Sequence, residues 1–291
     1  MILNECPVCN SHNFHSVLEV KDRLVSSEVF TIVECSDCLL RFTNPRPDSN
    51  DLPKYYESEE YISHTNKGNS LINRIYKLAR VFTLRSKRKL IEKSASKKTL
   101  LDIGCGTGHF INYCTDHNWE VTGVEPDSNA RNLASSSGVV VHDHINKIAG
   151  QQFDVITLWH VLEHLPDLTA TITKIKTLLK ENGKLIIAVP NYLSKESSIF
   201  EEFWAAYDVP RHLYHFTPKT LSILAEKNGL KIASTHPMWL DSFYISLLSN
   251  QHKYNRNKYI NSFLIGLLSN TYAIKNNNFS SIVYKIESSV S

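Results

Sequence analysis

Leu100-Leu101-Asp102-Ile103-Gly104-Cys105-Gly106-Thr107-Gly108 is the stretch that decides the fold. Residues 99–103 predict a buried strand, and the glycines that follow predict a tight turn into a helix. Because glycine has no Cβ, the backbone of such a turn can bend sharply and approach a ligand closely. We therefore expect a ligand site at the end of this strand.

Strands and helices alternate on both sides of this turn. Strands are predicted at residues 99–103, 120–124, 139–141, 153–158, 184–189, 230–234 and 282–286. Helices are predicted at residues 71–93, 107–117, 128–137, 169–180 and 218–227, and two more near 242–253 and 258–273. This alternation predicts an α/β fold of the Rossmann-like, doubly wound type, with a mostly parallel seven-stranded sheet covered by helices on both faces.

Four of the six cysteines lie in two pairs near the N-terminus, Cys6-Pro7-Val8-Cys9 and Cys35-Ser36-Asp37-Cys38. Two such C-x-x-C knuckles supply four thiolates, which form a closed, structural zinc site. We therefore predict a zinc-ribbon-like domain at residues 1–45, with Cys6, Cys9, Cys35 and Cys38 as its ligands. Residues 46–94 are then a linker and a helical cover. Residues 95–291 form the main domain, with a helical insertion at about 240–279.

The spacing of the glycine turn separates two classes of α/β protein. Dinucleotide-binding enzymes use G-x-G-x-x-G, whereas here Asp102 precedes a shorter G-x-G-x-G. This pattern resembles motif I of the class I S-adenosylmethionine-dependent methyltransferases. The resemblance covers roughly residues 95–236. It implies that the turn holds the methionine part of S-adenosylmethionine (SAM), with the carboxylate of Asp102 close to it.

Two later segments agree with this resemblance. Glu125 ends the second predicted strand, where a carboxylate can accept hydrogen bonds from both ribose hydroxyls. Residues 159–167 read W-H-V-L-E-H-L-P-D, similar to the family's segment after its fourth strand, which starts against the adenine and the sulfonium. The expected cofactor-binding residues are Asp102, Gly104, Cys105, Gly106, Gly108, Glu125, Pro126, Asp143, Trp159 and His160.

Residues 203–217 are expected at the same edge of the sheet. They read F-W-A-A-Y-D-V-P-R-H-L-Y-H-F-T, and this density of aromatic, His and Arg side chains suits a pocket. Methyl transfer to an oxygen, nitrogen or carbon nucleophile rests mainly on positioning the acceptor, and a hydroxyl or carbon acceptor also needs a base near neutral pKa. His212 and His215 are the candidate bases, with His160 behind them. The alternative is that these histidines only hydrogen-bond the loop backbone.

The insertion at about 240–279 is expected to meet this loop over the methyl group. Together the two segments bring Tyr207, Arg211, Trp239, Phe243 and Tyr244. Aromatic walls with one cation suit a small-molecule acceptor such as a nucleotide sugar or glycan precursor. A more apolar insertion would suit a lipid-linked acceptor, and an insertion without contact to the site would suit a homodimer interface.

Other protein classes fit the sequence less well. Residues 160–164 match H-x-x-E-H, the zinc pattern of inverzincin proteases, but they follow an apolar strand and no third ligand helix is evident. The glycine spacing disfavours an NAD-dependent oxidoreductase. The intact Asp102, glycine turn and Glu125 disfavour a zinc-knuckle scaffold protein without catalysis. Calorimetry with S-adenosylhomocysteine and with NAD separates these alternatives.

Composition bears on partners and location. The net charge is +3 at pH 7, too small to favour nucleic acid as a partner. The N-terminus lacks the basic start and apolar stretch of a signal peptide. The longest apolar runs, residues 185–189 and 263–268, are far shorter than the roughly 20 residues that span a bilayer. We therefore expect a cytoplasmic protein without a transmembrane segment, in a compartment that keeps thiols reduced.

Overall fold

The structure is a computed structural model that describes residues 1–56, 71–93 and 97–289, with the backbone alone at residues 71–78. Its strands are β1 (Phe14–Lys21), β2 (Val29–Cys35), β3 (Arg41–Thr43), β4 (Thr99–Ile103), β5 (Glu120–Val124), β6 (Val140–His142), β7 (Phe153–Trp159), β8 (Leu179–Pro190), β9 (Tyr214–His215), β10 (Leu230–Pro237) and β11 (Ser281–Ser288). Its helices are α1 (Leu71–Glu92), α2 (His109–Thr115), α3 (Ser128–Ser135), α4 (Leu168–Leu178), α5 (Lys195–Phe200), α6 (Pro218–Lys227), α7 (Asp241–Tyr254) and α8 (Tyr259–Asn276).

The larger sheet confirms the predicted fold class. Its seven strands lie in the order β10-β11-β8-β7-β4-β5-β6. The strands from β8 to β6 in this order run parallel, while β11 is antiparallel to both of its neighbours. Strands β4 and β7 and the second half of β8, residues 185–190, are mostly apolar and nearly fully buried, as expected for parallel strands covered by helices. Their carboxyl ends therefore meet at one edge, where a ligand can bind.

Short polar side chains fix where the helices of this domain begin. The carboxylate of Asp127 accepts a hydrogen bond from the Ala130 amide at 2.7 Å, and that of Asp167 accepts one from Ala170 at 2.9 Å. Each satisfies an amide that has no partner within its helix, which is worth about 1 kcal/mol. These caps hold the loops that follow β5 and β7 at the ligand edge of the sheet.

The largest difference from the predicted strand boundaries lies at the start of β8. Strand β8 begins at Leu179 and not at residue 184, because Leu179 pairs with Phe153 while Lys184 pairs with Val155. The extra residues on β8 form an irregularity around Gly183 that a simple hydrophobic pattern does not show. The predicted helix at residues 169–180 accordingly ends earlier, at Leu178.

The smaller sheet contains a strand from the far end of the chain. Its four antiparallel strands lie in the order β1-β2-β3-β9. Arg41 pairs with His215, and the Thr43 amide donates to the Leu213 carbonyl at 3.1 Å. The predicted domain boundary at residue 45 thus falls between strands of one sheet. That residues 1–45 form an independent domain stays a prediction, and the predicted linker falls partly on residues 57–70 and 94–96, outside the described residues.

Helices α7 and α8 form a hairpin at the predicted insertion, and its burial pattern is inverted. The inward side chains are small and mostly polar: Ser242, Ser246, Ser249, Asn250, Ser262, Gly266, Ser269, Asn270 and Ala273. The outward side chains of α8 include Ile260, Phe263, Leu264, Leu267, Leu268, Tyr272 and Ile274, with Ile260 79% exposed and Phe263 57% exposed. A helix on a globular protein normally buries its apolar face.

Within the described ranges, every helix is too short or too polar to serve as a membrane-spanning segment.

Candidate active site

The glycine turn after β4 has two packed glycines and one open glycine. All three adopt left-handed φ values, +70° at Gly104, +54° at Gly106 and +85° at Gly108. A Cβ on Gly104 would lie 2.4 Å from Val161 Cγ2, and one on Gly108 would lie 2.7 Å from Ala134 Cα. A Cβ on Gly106 would meet nothing within 4 Å. The first and third glycines therefore permit close packing, whereas Gly106 borders open space that a ligand can fill.

Glu125 lies directly beside this open space. Its Oε2 accepts a hydrogen bond from the Gly106 amide at 2.8 Å, and its Oε1 accepts one from the Asp127 amide at 3.0 Å. Burial raises the pKa of Glu125, and these two amides oppose that shift by favouring the carboxylate. Because a carboxylate has about four acceptor positions, Glu125 keeps capacity for two hydroxyl donors such as those of a ribose.

Asp143 supplies a second acceptor on the neighbouring loop. Its Oδ2 pairs with Lys147 Nζ at 2.7 Å. Its Oδ1 is shielded from solvent and accepts no hydrogen bond from the described residues. The amide of Glu125 donates to the His142 carbonyl at 2.8 Å, which ties this loop to the end of β5. An unused, shielded acceptor at this place fits a donor such as the amino group of an adenine.

Asp102 and Lys87 form the floor of the site. Asp102 is buried and its Oδ1 accepts a hydrogen bond from the Thr157 hydroxyl at 2.5 Å. Burial raises the pKa of Asp102 to about 7, while the hydroxyl and the positive charge of Lys87 act in the opposite direction. Lys87 Nζ lies 4.3 Å from the centroid of the Trp159 ring, a cation–π contact. Sequence analysis did not single out Lys87, because it lies on α1, outside the motifs that follow the strands.

Two other expected cofactor residues, Cys105 and Pro126, make contacts within the protein. The sulfur of Cys105 lies 2.8 Å from where a Cβ of Gly123 would be, so its side chain fills the gap between the turn and β5. The carbonyl of Pro126 accepts a hydrogen bond from Arg131 Nη1 at 2.8 Å. Any contact of Cys105 with a cofactor is therefore made through its main chain.

His160 follows β7 and lies between two carboxylates. Its Nε2 is 3.2 Å from Asp241 Oδ2, at the start of α7, and its Nδ1 is 3.4 Å from Glu163 Oε1. Burial lowers the pKa of His160, but the two carboxylates outweigh this and raise it to about 9. An imidazole that is already protonated at neutral pH cannot accept a proton. The insertion thus reaches the expected edge of the sheet, through Asp241.

His212 and His215 lie beneath the loop that carries them. His212 Nδ1 bonds to the Ala206 carbonyl at 2.8 Å, and the ring of His215 packs 5.1 Å from that of Tyr207. Burial, assisted by the positive charge of Arg41, holds the pKa of His215 well below its usual value. His215 is therefore a neutral, buried histidine in β9. That either His212 or His215 acts as a base stays a prediction.

Arg211 and Tyr207 serve a different purpose from the one expected. The Arg211 side chain is 1% exposed, and its Nη2 pairs with Asp22 Oδ1 at 2.9 Å and Asp208 Oδ1 at 2.7 Å. The Tyr207 hydroxyl accepts a hydrogen bond from Arg41 Nη1 at 2.9 Å. Both residues join the loop to the N-terminal sheet, so the cation expected in the acceptor pocket is buried and neutralised.

The expected aromatic walls from the insertion are divided among several contacts. Trp239 packs edge-on against Phe279 at 4.8 Å, and Phe243 stacks on Phe263 at 5.4 Å. The hairpin does meet the 203–217 loop, where the Ala205 amide donates to Ser249 Oγ at 2.9 Å. The loop and the insertion therefore pack together as expected, although Phe243 packs within the hairpin.

The four paired cysteines converge on one point. The sulfur atoms of Cys6 and Cys38 are 3.4 Å apart, as are those of Cys9 and Cys35, and all four lie within 4.8 Å of one another. These distances exceed the roughly 2.05 Å of a disulfide bond. They match ligands that surround one ion at about 2.3 Å from each sulfur.

Comparison with known proteins assigns the main domain. A family model described as a methyltransferase domain matches residues 73–235. The ubiquinone biosynthesis O-methyltransferase of Aeromonas salmonicida is 29% identical over 181 residues, which are 56% of this chain and 74% of that protein. The enzyme of the same name from Erwinia tasmaniensis is 34% identical over 109 residues, 34% of this chain and 44% of that protein. The chain thus spans less than half the length of this second relative.

Solved structures agree on the fold. The magnesium protoporphyrin IX methyltransferase of Synechocystis with bound SAM has a TM-score of 0.51 at 13% identity, over 84% of this chain and 99% of that one. The same enzyme with bound SAH has a TM-score of 0.53 at 12% identity, over 82% of this chain and 99% of that one. At these identities the likeness concerns the fold. The matched family and the site geometry make the protein a SAM-dependent methyltransferase. Since the family model covers more than half of its 291 residues, the chain belongs to the methyltransferase-domain family.

Proposed function

We propose that this methyltransferase moves the methyl group of SAM to a hydroxyl of an apolar, lipid-linked small molecule. The observation that carries the proposal is the inverted hairpin of α7 and α8, which starts at Asp241 beside His160. The relatives named ubiquinone biosynthesis O-methyltransferases support oxygen as the acceptor atom. The buried, neutralised Arg211 gives no support to the anionic sugar acceptor considered from the sequence.

The packing inside the hairpin explains why its apolar side chains face outward. A Cβ on Gly266 would lie 2.6 Å from Phe243 Cδ1, so the two helices approach each other closely through small residues. Helices that pack in lipid use the same arrangement, with small and hydroxyl side chains between them and large apolar ones outside. Contiguous exposed apolar surface of this kind marks an interaction site. An apolar molecule or lipid surface is the partner that removes it from water.

The charge of the hairpin favours the same partner. The hairpin, residues 241–276, contains one acidic residue, Asp241, and the cations Lys253, Arg256, Lys258 and Lys275. Cations beside an apolar face favour anionic lipid headgroups at the surface of a membrane. The alternative, a homodimer through this face, would bring like charges of two copies together, which is unfavourable.

The cofactor is proposed to lie across the carboxyl ends of β4 and β5. Glu125 would receive the ribose hydroxyls, Asp143 Oδ1 the adenine amino group, and the space beside Gly106 the rest of the cofactor. Trp159 and His160, at the end of β7, would lie nearest the sulfonium. SAM supplies an electrophilic methyl group, and the protein's contribution is to hold the acceptor oxygen in line with it and to exclude water.

Transfer of labelled methyl groups tests the acceptor class. With methyl-labelled SAM, we expect label in the organic phase when the full chain is given a total membrane lipid extract, and none in nucleotide sugars. Phe263→Glu on the outer face of α8 should reduce this transfer at least about tenfold, because a buried carboxylate disfavours the apolar contact. Affinity for S-adenosylhomocysteine should not change.

Gln251→Glu is the matched control, since residue 251 is an exposed polar position on α7. It adds the same charge to the hairpin without interrupting the apolar surface. The proposal is contradicted by label that appears in the water-soluble sugars, or by a Phe263→Glu variant that matches the control in transfer to lipid.

We further propose that Cys6, Cys9, Cys35 and Cys38 hold one structural zinc ion. Their number, thiolate chemistry and mutual distances support a closed tetrahedral site. Such a site leaves no open coordination position and so supplies folding free energy and no catalysis. The site ties the loop before β1 to the turn after β2.

Metal analysis of freshly purified protein is expected to find zinc released by treatment with a thiol-modifying reagent. Cys35→Ser should abolish this thiol-bound zinc and destabilise the small sheet, because structural zinc stabilises the fold around it. The loss should extend to residues near 214, since β9 pairs with β3, and hydrogen exchange can detect it. Cys114→Ser changes a buried cysteine outside the cluster and should retain the zinc. Equal zinc contents in the two variants would refute the site.

A further inference from the structure

A buried carboxylate beside the active site lacks a hydrogen-bond partner. Glu163 lies in the short turn Leu162–His164 that follows β7, and its side chain is 0% exposed. Neither carboxylate oxygen accepts a hydrogen bond from the described residues. His160 Nδ1 forms an ion pair with Oε1 at 3.4 Å, a distance and geometry too poor for a hydrogen bond, and no described residue pairs with Oε2. Burial of a carboxylate without donors costs several kcal/mol, so this position favours a further positive group.

Two histidines lie beside this carboxylate, and one ligand atom of each is within 4.8 Å of a carboxylate oxygen. His212 Nδ1 lies 2.8 Å from the Ala206 carbonyl, which can only accept, so a neutral His212 ring carries its proton on Nδ1 and leaves the lone pair on Nε2. His164 Nδ1 lies 3.1 Å from both the Arg211 carbonyl and the Tyr56 hydroxyl. Histidines that bind metals are oriented in the same way, by donating their other N–H to a backbone carbonyl.

The three side chains converge within the range of a single ion. One ligand atom from each of Glu163, His164 and His212 lies within 4.8 Å of the others. The two rings are in edge-to-face contact, with centroids 4.5 Å apart. Ligands on opposite sides of one ion at 2.0–2.2 Å lie roughly 4.2 Å apart, so small side-chain rotations suffice to close the site.

We propose that Glu163, His164 and His212 form a second metal site, which binds one first-row divalent cation. Two imidazoles and one carboxylate suit zinc, manganese or iron, in contrast to the four thiolates of the N-terminal cluster. Three protein ligands also leave a coordination position open. The arrangement is not that of the H-x-x-E-H proteases, because His160 pairs with Asp241 and the third ligand comes from the loop before β9.

The surrounding charges accommodate the cation. Asp208 Oδ2 lies 3.9 Å from His212 Nε2, while Arg211 is already neutralised by Asp22 and Asp208. A cation in the open site would lower the pKa of a bound acceptor hydroxyl. This effect on the acceptor is the only part of the proposal that rests on the proposed function. Binding of the cation does not depend on SAM or on any acceptor.

Binding of Mn²⁺ to the full-length protein tests the site, because Mn²⁺ prefers oxygen and nitrogen ligands to the thiolates of the cysteine cluster. We expect loss of the free Mn²⁺ electron paramagnetic resonance signal to saturate at one ion per chain. Glu163→Gln and His212→Gln should each weaken binding by at least about 10–100-fold, the cost of losing even a supporting hydrogen bond at such sites. His215→Gln, which changes a neighbouring buried histidine, should bind Mn²⁺ like the wild type.

Thermal unfolding in the same solutions keeps the test valid if one variant folds poorly. Mn²⁺ should raise the midpoint of the wild type and of His215→Gln, since a ligand that binds only the folded state stabilises it. It should have no effect on Glu163→Gln or on His164→Gln. The absence of saturable Mn²⁺ binding by the wild type, or unchanged affinity in the Glu163 and His212 variants, would overturn the proposal. Neither result bears on methyl transfer, which the lipid-extract assay measures separately.

Discussion

Replacing Gly106 by valine is expected to reduce the affinity for S-adenosylhomocysteine by at least about 100-fold, which corresponds to roughly 2.7 kcal/mol. An added Cβ on Gly106 would meet no protein atom within 4 Å, so the new side chain extends into open space. It would occupy the space beside Glu125 in which the cofactor is proposed to lie. Isothermal titration calorimetry measures the loss directly.

Gly138→Val is the matched control for backbone strain. Gly138 also has a left-handed φ, +85°, and an added Cβ there would meet nothing within 4 Å. A side chain at a left-handed position costs about 1–2 kcal/mol in either place, so both variants should lose similar stability. Only the change at Gly106 should affect cofactor affinity. Full affinity in Gly106→Val would exclude the proposed position of the cofactor.

Gly104 is a less informative target, although it comes first in the motif. An added Cβ at Gly104 would overlap Val161, and Val161 lies in the segment that places His160 and Glu163. A loss of binding in Gly104→Val would therefore have two causes, a blocked site and a displaced loop. The structure separates the two glycines, which the motif alone treats as equivalent.

Local patterns were sufficient to predict the main sheet. Short stretches of sequence are enough to recognise the glycine turn, the alternation of apolar strands with capped helices, and the acid at Glu125. The mostly parallel seven-stranded sheet follows from that alternation, and the structure confirms it. The convergence of the four cysteines was likewise foreseeable from the spacing within each pair.

Contacts between distant segments were not predictable in the same way. Arg211 and Asp22 are 189 residues apart, and nothing in the composition of the 203–217 loop shows that its cation is already paired. The same loop supplies β9, a strand of only two residues, which is too short to have a hydrophobic period.

Lys87 is a residue that the sequence could have indicated. The predicted helix that carries it directly precedes β4, so a long cationic side chain on that helix can reach the region of the glycine turn.

The inverted hairpin shows a different limit of sequence analysis. A helical period indicates which residues share a face, but not whether that face turns inward. The serine and asparagine residues of α7 and α8 would normally be assigned to solvent. In the structure they are buried, either between the two helices, as Asn250 and Ser262 are, or against the rest of the protein, as Ser249 is at Ala205. The apolar residues are consequently left on the outside.

Replacing Arg211 by methionine is expected to destabilise the protein by about 3–5 kcal/mol, the cost of removing one partner of a buried ion pair. Asp22 would stay buried with its charge facing an apolar group, and the Tyr55 carbonyl would lose the hydrogen bond from Arg211 Nη1. Denaturant unfolding measures the change in the free energy of unfolding. Arg85→Met, at an exposed position on α1, should change it by less than about 0.5 kcal/mol.

The double variant Asp22→Asn/Arg211→Met tests whether Arg211→Met destabilises the protein through the lost ion pair or through the lost side-chain volume. If the stranded charge of Asp22 causes most of the loss, neutralising it should recover part of the stability that Arg211→Met alone removes. A double variant less stable than either single one would show instead that the hydrogen bonds from the amides of residues 24–26 to Asp22 dominate. Either single variant should also loosen β9 from β3, because Arg211 and Asp22 are the charged link between the loop that carries His212 and the sheet that the cysteine cluster stabilises.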